Sequence, residues 1–307
     1  VAEDAGFQSV PGWATNISAG SASESAQVVN FIVSNDNTSL FAVQPSIASD
    51  GTLTYTPADN AFGITIVAVQ AHDNGGTTAG GIDTSVPQTF VITVTLVNDA
   101  PTGALIIAGT PTKGEVLSAD TSGISDADGL GVFSYLWSNG ATTSSITLGD
   151  SDVGSAITVT VSYTDGHGTL ESLASVTVGP VANVNDVPVG LPVIVGIAEE
   201  DQVLTVDTSG ISDADGVGTF SYLWSTGATT SSITLGDLDV GSSITVTVIY
   251  TDGHGTLESL ASAAVGPVAN VNDAPTGVPT ISGEAQNGSV LIAGTGGISD
   301  ADGLGVF

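Results

Sequence analysis

Residues 156–168 read Ala156-Ile157-Thr158-Val159-Thr160-Val161-Ser162-Tyr163-Thr164-Asp165-Gly166-His167-Gly168. From Ile157 to Tyr163, apolar and polar side chains alternate with period two. That is the pattern of a strand with one buried and one wet face, and β-branched residues dominate it. The alternation stops at Asp-Gly-His-Gly, whose glycines permit a tight turn. Phe133-Ser134-Tyr135-Leu136-Trp137 and Ser144-Ser145-Ile146-Thr147-Leu148 alternate in the same way. Helix formers are scarce, so the expected fold class is all-β.

Working outward, this stretch recurs. Tyr-Thr-Asp-Gly-His-Gly has its Asp at Asp165 and Asp252, and Phe-Ser-Tyr-Leu-Trp ends at Trp137 and Trp224. Ile-Ser-Asp-Ala-Asp-Gly begins its acidic pair at Asp126, Asp213 and Asp300, and Val-Asn-Asp-x-Pro places Asp99, Asp186 and Asp273. Every spacing is 87 residues, and 65 of the 87 positions in 102–188 are identical in 189–275 without a gap. This is a tandem array. The expected division is 1–98, 99–185, 186–272, and the start of a third repeat at 273–307. Some 35 residues are too few to bury a core alone, so the expectation is a window cut from a longer array. A terminal third completed by a neighbouring chain is the alternative.

Each 87-residue unit offers seven or so short strands, with turns rich in Gly, Asp and Asn, which indicates a β-sandwich. The order resembles an immunoglobulin-type domain. Trp137 falls on the third strand and is expected in the core. Leu148-Gly149-Asp150-Ser151-Asp152-Val153-Gly154 resembles the Asp-x-Gly turn that precedes the sixth strand. The cysteine pair of immunoglobulins is absent, leaving Leu117 or Val159 to fill its space. More closely, the Asn-Asp-x-Pro joint, the Asp-x-Asp-Gly loop and the Asp-Gly-x-Gly turn resemble the Ig-like and cadherin-like tandem repeats of large bacterial surface proteins, the adhesins of the RTX and biofilm type. Residues 1–98 look cadherin-like, from Glu3-Asp4 to Asn98-Asp99. The resemblance implies a tandem array of immunoglobulin-like or cadherin-like β-sandwich domains in an extended rod.

Composition narrows the function. The 307 residues carry 32 acidic side chains against one basic side chain, Lys113, for a net charge of −31. Such a chain repels phosphate, which argues against nucleic acid and anionic membrane as partners. With no cysteine there is no disulfide, thiolate nucleophile or cysteine–zinc site. No apolar run approaches the roughly 18 residues of a membrane span, so no membrane insertion is expected. Hydrophobic content of 41% is enough for real cores. His72, His167 and His254 are the only histidines and are read as solvated. Catalysis on phosphate or carboxylate substrates is hard to place without arginine or lysine, and no enzyme is expected.

In a sandwich of this order the loops segregate to two ends. Asp126, Asp128 and Asp165, with Glu171, fall at the end where the chain enters, beside Asn98 and Asp99. From the module before, Asp59 and Asn60 are expected to approach. The next joint repeats this with Asn185, Asp186, Asp213, Asp215 and Asp252, Glu258 standing where Glu171 does, and Asp150 and Asp152 below. The third has Asn272, Asp273, Asp300 and Asp302, with Asp237 and Asp239. Carboxylates about 4 Å apart repel by about 4 kcal/mol at an effective dielectric of about 20. With one lysine in the chain, protonation, separation or a metal must relieve this. Oxygen ligands at neutral pH favour Ca²⁺. Asp152 and Asp239 read more readily as structural turn residues. Lys113 is replaced by Glu200 in the next repeat, so no repeated role is expected for it.

The expected function is a non-enzymatic, Ca²⁺-stiffened extender region of a bacterial extracellular adhesin or surface fibre. Its partners are the neighbouring modules of the same larger chain. The alternatives are a subunit of a self-assembling extracellular filament, in which other copies are partners, and a carbohydrate- or ligand-binding array, for which Trp13 is the aromatic left without a place.

Overall fold

The computed structural model describes residues 1–306, and among them the only helices are single 3-10 turns. The chain is all-β, as the alternation requires. None of its helices is long and apolar enough to cross a membrane. It forms two compact units. The first comprises Val1–Thr110, Val116–Ile146 and Ala156–Val178; the second comprises Pro111–Glu115, Thr147–Ser155 and the chain from Gly179 onward.

The first unit begins with β1 (Gln8–Val10), β2 (Val29–Asn35), β3 (Phe41–Ile47), β4 (Leu53–Pro57), β5 (Gly63–Asp73) and β6 (Gln88–Val94). These make two three-stranded sheets, β1-β4-β3 and β2-β5-β6. Leu40, Phe41, Ile47 and Leu53 from one side meet Val67, Val69, Ile92 and Val94 from the other in one core cluster, so the pair is a sandwich. Trp13 stays 37% exposed, with its ring 4.6 Å from that of Phe90.

Next come β7 (Ile106–Ala108), β8 (Val116–Asp120), β9 (Ser134–Trp137), β10 (Ser145–Thr147), β11 (Val159–Thr164) and β12 (Leu170–Ala174), in sheets β10-β8-β7 and β12-β11-β9. The stretch that opened the reading is β11. Val159, Val161 and Tyr163 are buried while Thr160 and Thr164 face outward. β11 is central, with Val159 opposite Trp137 on β9 and Tyr163 opposite Glu171 on β12. Trp137 is 1% exposed, and its indole N–H donates to the Thr143 carbonyl at 2.8 Å. That bond satisfies the one polar atom a buried tryptophan brings with it. Leu117 and Val159 are both wholly buried.

In the second unit, β13 (Val193–Val195), β14 (Val203–Asp207), β15 (Ser221–Trp224), β16 (Ser232–Thr234), β17 (Val246–Thr251) and β18 (Leu257–Ala261) reproduce β7 to β12 at a spacing of 87 residues, as sheets β13-β14-β16 and β15-β17-β18. Leu204, Trp224, Ile233, Leu235, Ile244, Val246 and Val268 form its core. Fully burying a side chain of this size contributes about 1.5–3 kcal/mol. A last hairpin, β19 (Thr280–Ser282) with β20 (Ile292–Gly294), keeps the same spacing.

Candidate metal-binding joints

The joint aspartates Asp99, Asp186 and Asp273 each meet the Asp-x-Asp-Gly loop that follows them in sequence. The joint at Asp99 is within the first unit, and those at Asp186 and Asp273 are within the second. All three are built on one clasp. The backbone N–H of the joint aspartate donates to the second carboxylate of the Asp-x-Asp-Gly loop: Asp99 to Asp128 at 2.7 Å, Asp186 to Asp215 at 2.6 Å, and Asp273 to Asp302 at 2.6 Å. The preceding asparagine reinforces it. Asn98 Nδ2 donates to Glu171 at 2.8 Å, and Asn185 Nδ2 donates to Glu258 at 2.9 Å. Asn272 Nδ2 donates to the Asp273 carbonyl.

The first aspartate of each loop has local duties. Asp126 Oδ1 accepts from the Asp128 N–H and its Oδ2 from the Tyr163 hydroxyl; Asp213 does the same with Asp215 and Tyr250. Burial first, and then these bonds, push both tyrosine pKa values up. Asp300 Oδ1 accepts from the Asp302 N–H. The turn after β11 docks on the same loop through the Gly166 N–H and the Asp128 carbonyl. A Cβ on Gly166 would stand 2.5 Å from that carbonyl oxygen, so the Asp-Gly-His-Gly turn requires glycine there. Asp165 Oδ1 accepts from the N–H groups of His167 and Thr169, both at 2.8 Å. Burial pushes Asp165 up, but these N–H bonds prevail and hold it below its ordinary range; Asp252 is held the same way.

Several carboxylate oxygens have no hydrogen-bond partner although they are buried: Asp99 Oδ2, Asp165 Oδ2, Asp252 Oδ2 and Glu3 Oε2. Glu3 is 1% exposed. A buried, unpaired carboxylate oxygen is expensive. Asp99 lies under this strain: burial and then the charges of Asp4, Asp128, Glu3 and Asp126 push its pKa up. The first module therefore addresses the joint with Glu3 and Asp4. Asp59 and Asn60, expected there, are exposed. Their turn reaches the joint through Phe62, whose ring packs edge-on against His167 at 4.8 Å. His167 also lies 3.1 Å from Asp128 through Nδ1, so it is more than the solvated turn residue it was read as.

Asp152 and Asp239 are the turn residues the sequence suggested; each accepts from a glycine N–H, that of Gly149 or Gly236. Their neighbours Asp150 and Asp237 face the joints. Two groups have ligand oxygens within 4.8 Å of one another: Asp150 with Asp186 and Asp215, and Glu200 with Asp273 and Asp302. Asp237 joins the second group. Its hydrogen bond to Glu200 is the main cause of a raised Glu200 pKa, and after burial it is the leading charge raising Asp273. The donors are oxygens alone, several of them unpaired, which suits a hard divalent cation such as Ca²⁺.

Glu3, Lys113 and Glu200 are the residues the sequence reading missed. They occupy one structural position. Each follows a residue in a parallel bridge (Ala2 with Thr95, Thr112 with Ala182, Glu199 with Ala269), and each N–H donates to the bridged partner's carbonyl. Glu3 also accepts from the Val97 N–H, and Glu200 from the Val271 N–H. The signal was present: in repeats so nearly identical, 113 and 200 reverse charge beside an acidic joint.

No protein-family model matches the chain, and neither does any curated protein. Among solved structures, the chain is similar to a tetra-tandem repeat in the extending region of a large adhesion protein, at 16% identity over 91% of this chain and 83% of that one, with a TM-score of 0.27. It is similar to a stretch of human CDH23 at 15% identity over 77% and 88%, TM-score 0.31. A stretch of titin gives 11% identity over 80% and 89%, TM-score 0.22. None of these superpositions is close enough to carry an argument about this chain.

Proposed function

We propose that this chain is a non-enzymatic extender region of an extracellular adhesin or surface fibre of bacterial type, whose joints are stiffened by Ca²⁺. Its modules are 1–98, 99–185, 186–272 and a further repeat from 273. The observation that carries the reading is the recurrence of one acidic clasp at Asp99, Asp186 and Asp273, with buried carboxylate oxygens left unpaired around it. A stack that only supported its own fold has no need to gather carboxylates and leave them unsatisfied.

The ligands are the joint aspartates, Asp128, Asp215 and Asp302, and the oxygens of Asp165, Asp252, Glu3 and Glu200, with Asn98, Asn185 and Asn272 holding the backbone in place. Asp126, Asp213 and Asp300 shape the loop and supply charge. Bound calcium supplies the positive charge that the composition withholds. The chain's own residues set the turn, exclude water and keep the joint aspartate against its loop. Extracellular modules of this kind bind at about 10⁻⁴–10⁻³ M, which suits the outside of a cell.

Thermal unfolding of the chain, with small-angle scattering, in calcium and in a chelator tests this. The expected result is a higher melting temperature and larger maximum dimension with calcium. If neither quantity responds, the carboxylates are solvated turns and the extender mechanism fails.

A further inference from the structure

Lys113 is the only basic side chain in the protein, and its position is not accidental. Its ammonium donates to Asp186 Oδ2, contacts Asp150 Oδ1, and lies 3.9 Å from Asp215 Oδ1. Its side chain is 13% exposed. These three aspartates are the group whose oxygens converge as a metal site does. At the equivalent joint, the residue in the position of Lys113 is Glu200, which contributes another carboxylate. At the joint of Asp99 it is Glu3, with an unpaired, almost wholly buried Oε2.

We infer that Lys113 is a built-in cation that stands in for a divalent ion at the joint of Asp150, Asp186 and Asp215, while the joints served by Glu3 and Glu200 require one from solution. The inference rests on the calcium reading of the acidic joints and amends it at one of them: at Asp186 and Asp215 the Lys113 ammonium takes the place given above to an ion, so the joints are of two kinds. An ammonium is compact, carries one positive charge and offers three donors, a match in number for three carboxylates. It is tethered to β-structure by the Lys113 N–H bond to Ala182, so its occupancy does not depend on concentration. It repels a divalent cation from the same point. Where glutamate replaces it, the converse holds: one more ligand and one more negative charge, and closure becomes a matter of mass action. One joint then stays closed when calcium falls, and the others loosen.

The test uses the full chain and calcium itself, counting bound ions by equilibrium dialysis and following melting temperature. Lys113→Glu is expected to bind about one more ion per chain than the wild type, to melt lower in chelator, and to recover in calcium. Glu200→Lys is expected to bind about one fewer and to lose part of the calcium-dependent rise. If Lys113→Glu does not fold without calcium, Lys113→Gln, which leaves the three aspartates and adds no charge, is measured in calcium and is also expected to gain an ion. Unchanged ion counts in all three variants, beside a wild type that binds calcium, overturn the role of Lys113 alone. A wild type that binds no calcium overturns the calcium reading as well.

Discussion

The joints at Asp186 and Asp273 are built by repeats that share most of their residues, yet they solve the same electrostatic problem in opposite ways. Both clasp the joint aspartate to the loop at 2.6 Å, and both gather three acidic side chains with oxygens within 4.8 Å of one another. At the first, the three aspartates surround the Lys113 ammonium. At the second, the position of Lys113 holds Glu200, which shares a hydrogen bond with Asp237. Two carboxylates bonded to each other must hold a proton between them or accept a cation. The exchange of Lys113 for Glu200, far in sequence from the aspartates it serves, is the main difference between a neutralised joint and a frustrated one, and Asp201, where the other repeat has Gly114, adds a further negative charge near Asp273. The lesson is that a near-identical repeat need not carry an identical function at its boundary.

The largest expected effect would break this comparison if it came out uneven. Trp137→Ala and Trp224→Ala should each cost about 3–5 kcal/mol in urea unfolding, because each removes a buried indole and leaves a cavity. Equal losses place the difference between the repeats at their joints; unequal losses would place part of it in their cores. Next comes calcium itself. At about 100 times the dissociation constant, an occupied site adds about 2.7 kcal/mol to the folded state. Glu200→Lys should forfeit that increment at its joint, read from melting curves with and without the ion.

A smaller effect separates the turns after β11 and β17. His167 carries the ring of Phe62, whereas His254 lies 4.0 Å from Asp215 and makes no closer ion pair among the described residues. Phe62→Ala should lose the aromatic pair's contribution of about 0.5–1.5 kcal/mol, and His254→Ala should stay within about 0.5 kcal/mol. An equal response to both would remove the contrast.

The smallest effect is that of pH in chelator. Asp273 has its pKa raised above 3.8, by burial first and then by Asp237. Its contribution to stability is therefore full below that value and is lost as pH rises through the folded one. Lys113 has its pKa raised above 10.5, chiefly by its bonds to Asp150 and Asp186, so its contribution persists through neutral pH and is lost only in strong alkali. Acidification should thus favour the Asp273 joint while it costs stability at Asp165 and Asp252, whose pKa values are lowered, and Asp273→Asn should make the chain more sensitive to acid by removing that favourable part. A profile unchanged by Asp273→Asn would show that the joint carries no such strain.

Much of this was legible before any coordinates. Val159, Val161 and Tyr163 face inward because alternation along an extended chain admits no other arrangement over one core. The repeat tryptophans, Trp137 and Trp224, were expected inside and are there. Asp152 and Asp239 read as turn residues, and their carboxylates accept from glycine N–H groups close in sequence. The site residues proved less transparent. Asp126 and Asp213 look like ligands in an Asp-x-Asp-Gly loop, yet each is engaged by a tyrosine 37 residues away. Asp59 looked like a ligand from the first module, whereas Glu3 and Asp4 are the carboxylates that press on Asp99.

What the sequence by itself determined is local and periodic: strands, turns, the 87-residue repeat, the excess of negative charge, and therefore the need for positive charge somewhere. Only the tertiary structure decided where that charge comes from. Lys113 meets Asp186 across 73 residues, because a parallel bridge between Thr112 and Ala182 carries the start of one module to the end of its last segment. Coulomb energy depends on separation in space. Strand pairing, which converts distant positions into neighbours, is what turned a solitary lysine into the counter-charge of one joint and left the next with a glutamate.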